Sequence, residues 1–102
     1  MTRIGFIHGS DGCVSVEGHA GYAERGRDVV CAAVSTLCNS IMVTFRVLER
    51  YGHCVSVSVQ QEDGVFRLSY REGDEAVADT MALYEELARG YAAEYSKYLA
   101  VT

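Results

Sequence analysis

The sequence predicts an α+β fold, a layered sandwich in which one sheet packs with two helices in the order ββαββα. Three observations carry this. Segments with a period of two occur in pairs around turn residues, and a longer segment of helical period follows each pair. Strands and helices do not alternate singly, as a parallel β-α-β sheet would require. The chain has 102 residues, no proline and 49% apolar residues. It therefore reads as one folded domain over 1–102, without a disordered linker.

The first pair runs from Arg3 to His8 and from Cys13 to Glu17. Ile4, Phe6 and His8 share one face of the first strand, and Val14 and Val16 set the phase of the second. Gly9-Ser10-Asp11-Gly12 between them is turn chemistry, so the two form a hairpin. Gly18, Gly21 and Gly26 punctuate a loop that is long for its surroundings.

Asp28 is a good N-cap, and neither glycine nor proline interrupts Val29 to Tyr51. Val30, Val34, Leu37, Ile41, Phe45 and Leu48 recur at helical spacing, and Gly52 supplies a stop. Val55, Val57 and Val59 alternate with polar residues as a half-exposed strand. Asp63-Gly64 turns the chain, and Phe66, Leu68 and Tyr70 run back beside it. A second helix begins near Gly73-Asp74, with Val77, Met81, Tyr84, Leu87, Ala88, Tyr91 and Tyr95 as its stripe. Gly90 interrupts it at a cost of ~1 kcal/mol relative to alanine and allows a bend. Tyr98 to Val101 suits a short final strand.

The net charge of −5 and arginines scattered among acids argue against a nucleic-acid partner, which needs a clustered basic footprint. No apolar run reads as a membrane span, and no phosphate-cradling glycine loop is present. Seven tyrosines favour a dimer or a peptide groove. The cysteines at 13, 31, 38 and 54 lack zinc-ligand spacing, so no metal or cofactor is expected. Two disulfides are arithmetically possible, but Cys31 and Cys38 lie two turns apart on one helix and do not bridge each other. Reduced cytoplasmic thiols are the better reading.

The chemistry concentrates between Gly18 and Ser35. His19 sits in the glycine-rich loop, and Cys31 falls one turn inside the helix that Asp28 starts. A helix N-terminus carries partial positive charge, which favours a thiolate. A histidine beside it can take the thiol proton and return it to a leaving amine. The bland alternative is a small buried cysteine. Asp28 has two candidate roles, helix capping and orientation of His19. Ser35, four residues after Cys31, supports the site or back-bonds within the helix. Gly21, Tyr22 and Gly26 read as hinges and cover of a lid, or as a flexible connection. The Cys31 N–H and a neighbour at the helix start are the expected oxyanion donors. His8 and His53 look structural.

Gly18-His19-Ala20 followed by Gly26-Arg27-Asp28-Val29-Val30-Cys31-Ala32-Ala33-Val34-Ser35 resembles the ribosomal-processing cysteine protease family Prp, marked by GHA and then G-x-D-[IV]-V-C-A-A-[VI]-S. The closing Glu94-Tyr95-Ser96-Lys97-Tyr98 resembles the family's E-Y-P-x-[YF] ending, with Ser96 in place of proline. The resemblance implies a bacterial cytoplasmic protease, homodimeric, with His19 and Cys31 as its dyad and Ser35 within the motif. Its implied substrate is a ribosomal protein precursor, large-subunit ribosomal protein twenty-seven, which loses a short N-terminal extension. The family's preference for aromatic residues just before a small residue at the cut implies an apolar groove. Competing readings are a non-catalytic ribosome-assembly or peptide-binding module, and a thiol redox sensor using Cys31.

Overall fold

The computed structural model describes residues 1–19 and 28–102. Its elements follow the expected order, including the short strand at the end. They are β1 (Thr2–Ile7), β2 (Gly12–Glu17), α1 (Val29–Arg50), β3 (Val55–Glu62), β4 (Val65–Arg71), α2 (Glu75–Glu94) and β5 (Leu99–Val101). The five strands form one sheet in the order β3-β4-β2-β1-β5. All neighbours are antiparallel except β1 and β5, which are parallel.

Register explains the layering. Ile4 pairs with Val16, which pairs with Phe66, while Phe6 pairs with Val14, which pairs with Leu68. These rows share one face because side chains alternate along a strand. Both helices cover that face, and their stripes complete a single core with Val30, Val34, Ile41, Phe45, Val77, Met81 and Ala88. The opposite rows, Arg3 with Glu17 and Ser15 with Arg67, stay polar, and Arg67 is ion-paired to Glu17 across neighbouring strands. Such a sheet needs apolar residues on only one side.

By length and composition α1 is apolar enough to cross a membrane, which differs from the expectation that no apolar run reads as a span. Its stripe nevertheless packs into the core against the sheet. Asp28 caps it, accepting hydrogen bonds from the Val30 and Cys31 N–H groups. Thr36, Ser40 and Thr44 return their hydroxyls to the carbonyls four residues earlier.

The expected alternation in β3 holds only in part. Val57 is buried and Val59 half-buried, but Val55 is exposed. Between the pairs Val55–Arg71 and Ser58–Ser69 the strand carries one extra residue, and Ser56 adopts a positive φ of 55°. A one-residue bulge reverses the phase, so Val55 leaves the core face. Side chains of α1 grip the bulge: Glu49 accepts from the Val57 N–H at 2.8 Å, and Arg46 donates to the Val57 carbonyl at 3.3 Å.

The exit of α1 and the start of α2 are clasped together. The Asp74 N–H donates to the His53 carbonyl at 3.0 Å, while the His53 ring and the Asp74 carboxylate meet at 2.7 Å. The hydrogen bond from His53 holds the Asp74 carboxyl below its ordinary range, helped by backbone N–H donors at the helix start. His8 pairs with Glu85 of α2 at 2.5 Å. Both histidines thus take part in contacts between elements.

Gly90 does not end α2, which runs unbroken from Glu75 to Glu94. A Cβ built at Gly90 meets no atom within 4 Å. Alanine restricts the unfolded chain and suits a helix, so Gly90→Ala should stabilise the protein by ~0.5–1 kcal/mol. A rise in the urea midpoint at unchanged m-value checks this.

Candidate active site

The cleft that holds the sequence motif is assembled from four places. The start of β1 contributes Thr2, and the end of β2 contributes Val16, Gly18 and His19. The first turns of α1 contribute Asp28, Cys31, Ala32, Val34, Ser35 and Cys38. The tip of the β3–β4 hairpin contributes residues from Gln61 to Phe66. The cleft volume is about 550 Å³. It is in the range of sites that take small ligands or peptide side chains.

His19 and Cys31 thus line one cleft although the chain brings them there from different elements. Cys31 is half-buried in the first turn of α1, and His19 is exposed just beyond β2. Gly18 makes this approach possible. Its φ is +99°, and a Cβ there would lie 2.4 Å from the Met1 carbonyl oxygen, so only glycine fits. Its N–H donates to the Gly64 carbonyl at 2.8 Å, which locks the residue before His19 to the hairpin tip.

Asp28 is buried, and one carboxylate oxygen accepts the Val30 and Cys31 N–H groups at 2.9 Å each. Its capping role is therefore realised. This corrects the expectation for the oxyanion, because the Cys31 N–H and its neighbour are already bound to Asp28. The same negative charge offsets the field of the helix terminus at the thiol. Ser35 lies on the cleft wall, one turn after Cys31, and is exposed. Gly21, Tyr22 and Gly26, expected to form a lid, lie outside the described residues.

Sequence reasoning took Asp63-Gly64 only as a turn, yet this turn touches the imidazole. Asp63 Oδ1 is 3.8 Å from His19 Nε2, and a Cβ at Gly64, where φ is +74°, would stand 3.1 Å from the same nitrogen. The missing signal was the pairing of β2 with β4, whose last pair, Glu17 with Val65, sets the hairpin tip beside the residues that follow Glu17. Glu62 and Asp63 join Asp28 as carboxylates on the described lining, where His19 is the one basic side chain.

The four cysteines are free. Burial pushes the Cys38 thiol up to about 11. Burial also raises Cys54, with the Glu49 and Asp74 carboxylates adding to the effect. Cys13, on the polar face of the sheet, is raised by burial and partly relieved by Arg67. At neutral pH Cys38 and Cys54 are protonated and enclosed, while Cys31 opens on the cleft. Iodoacetamide should label Cys31 first and leave Cys38 and Cys54 untouched until urea is added, as peptide mass spectrometry would read. Removing the cap by Asp28→Ala should cost about 1–2 kcal/mol in urea unfolding, while Asp28→Asn keeps most of that stability.

A search of curated proteins finds no match to this chain. Solved structures do match. SMU.848 from Streptococcus mutans is 27% identical, with a TM-score of 0.69 over 100% of this chain and 92% of that one. The essential ribosomal processing protease Prp from S. aureus, in complex with a covalently linked product peptide, is 18% identical. It gives a TM-score of 0.71 over 100% of this chain and 98% of that one. The same S. aureus protease with a substrate peptide gives 17% identity and a TM-score of 0.60 over the same shares. At the lower identities the likeness is one of fold, and it matches the sheet and paired helices described above. The family model of cysteine protease Prp covers residues 1–99, so the strand that delivers His19, the helix that delivers Cys31 and the hairpin tip beside His19 all fall within it, and the chain belongs to the Prp family of cysteine proteases.

Proposed function

We propose that this chain is a cysteine endopeptidase that removes the N-terminal extension of large-subunit ribosomal protein twenty-seven during bacterial ribosome assembly. The observation that carries the reading is that His19 and Cys31 line one cleft. His19 takes the proton of the Cys31 thiol, and the sulfur attacks the scissile carbonyl. The imidazolium then gives its proton to the departing amine, leaving an acyl-enzyme. Water, deprotonated by His19, releases the acid product and restores the thiol.

The cleft suits such a peptide. Val16, Val34, Val65 and Phe66 form an apolar lining, which fits an aromatic side chain just before the cut. Among the described residues its charged lining is Asp28, Glu62 and Asp63 beside His19. The S. aureus protease structures carry a substrate peptide and a covalently linked product peptide, and this chain is proposed to handle a ribosomal protein precursor in the same way. It is further proposed to act in the cytoplasm as a homodimer, with free thiols in keeping with a reducing compartment.

The test is mass spectrometry of a peptide copying the precursor junction from the source organism, incubated with wild type, Cys31→Ala and His19→Ala. Wild type should make one cut, Cys31→Ala none, and His19→Ala should be slower by ~10²–10⁴-fold. Circular dichroism should show both variants folded. Equal cleavage by all three proteins would overturn the mechanism, and a folded wild type that leaves the peptide intact would overturn the substrate.

A further inference from the structure

We infer that Asp63 is a positioning residue for His19, fixing which ring nitrogen carries the proton and holding the imidazolium once it forms. This rests on His19 acting as the base in the reading above. Three observations meet at the hairpin tip. Asp63 Oδ1 faces His19 Nε2 at 3.8 Å. Gly64 leaves room for the same edge of the ring, since a Cβ there would come within 3.1 Å of Nε2 and 3.6 Å of Cδ2. The Gly64 carbonyl accepts the Gly18 N–H at 2.8 Å, so the backbone carrying the carboxylate and the backbone carrying the ring are tied one residue from each.

The chemistry follows from which nitrogen the carboxylate faces. A neutral imidazole bears one N–H, and a carboxylate beside Nε2 favours the tautomer with the proton on Nε2. That leaves the Nδ1 lone pair to take the Cys31 proton. The ring is then a cation with both nitrogens protonated, and Asp63 faces its Nε2–H. Nothing is consumed, because the proton taken at Nδ1 goes on to the leaving amine while the Nε2 proton stays in place.

Magnitude sets where the effect is felt. The distance is longer than a hydrogen bond, and the side chains are 56% and 63% exposed. Water therefore weakens the pair in the free enzyme. A peptide filling the cleft removes that water and strengthens the attraction as the imidazolium forms. The benefit falls on the chemical step rather than on substrate binding. Asp63 is the lining carboxylate that the ion-pair geometry sets against the ring. Asp28 is turned to the helix N–H groups, and Glu62 lines the cleft on the same hairpin.

Two measurements test this. Long-range ¹H–¹⁵N NMR reads the His19 tautomer directly in wild type, Asp63→Ala and Asp63→Asn, with the ring signals assigned by their loss in His19→Ala. The share of the Nε2–H form should fall in Asp63→Ala and be partly restored in Asp63→Asn, whose amide oxygen still accepts and whose side chain suits the turn. On the junction peptide, Asp63→Ala should lower kcat on the order of tenfold, with KM within about twofold and Asp63→Asn between. An unchanged tautomer ratio in Asp63→Ala would refute the inference. So would a kcat equal to wild type in either Asp63 variant while His19→Ala is impaired. If His19→Ala cleaves normally, it is the dyad that fails, and the NMR ratio still decides whether Asp63 governs the ring.

Discussion

The pairing of β2 with β4 is the constraint on which the rest of this molecule depends. It joins the first hairpin to the second through six residue pairs, from Gly12–Tyr70 to Glu17–Val65. The pairing puts Val14 beside Leu68 and Val16 beside Phe66, the row of buried side chains on which both helices sit. At its far end the ladder continues as a single bond from Gly18 to Gly64. There the strand gives way to His19 and the hairpin to Asp63. Core and cleft are thus two ends of one ladder, and a register slip of one residue would reverse every side chain in it.

Asp28 shows how one residue serves structure at the expense of an expected chemical role. Its carboxylate fixes the start of α1 and therefore holds Cys31 in the first turn. In doing so it occupies the two N–H groups that a tetrahedral oxygen would otherwise find there. The helix terminus locates the thiol but does not offer these donors freely.

Much of this was legible in the sequence. The strand pairs, the uninterrupted stretch after Asp28 and the stripe on α2 are local patterns with local causes, and they gave the element order. The motif around His19 and Cys31 was equally legible, since its residues are near in sequence. What escaped was either a phase change or a long-range contact. The extra residue at Ser56 turned Val55 outward, because a bulge leaves no mark in the alternation of residue types. Asp63 lies 44 residues from His19, counted from 63 to 19. Its place depends on which strand β4 chooses as neighbour, a choice that periodicity does not specify. Gly90 was legible as a weak helix former, but α2 spans it because Met81, Tyr84 and Ala88 before it are anchored in the core and Ala92 after it packs against that core. Packing there outweighs a propensity cost of ~1 kcal/mol.

The parallel contact of β1 with β5 has a kinetic meaning. Thr2 pairs with Leu99, and its N–H is held by the Tyr98 carbonyl at 2.9 Å, so one wall of the cleft is fixed by a contact spanning nearly the whole chain. Loop closure over such a span is entropically late, and contacts of high sequence separation slow folding. The hairpins and α1 join residues near in sequence, whereas Thr2 is held by a contact of high sequence separation. The wall at Thr2 is complete only where the two ends of this sheet edge have met, and a chain with β5 detached carries its histidine and cysteine beside an unfinished cleft.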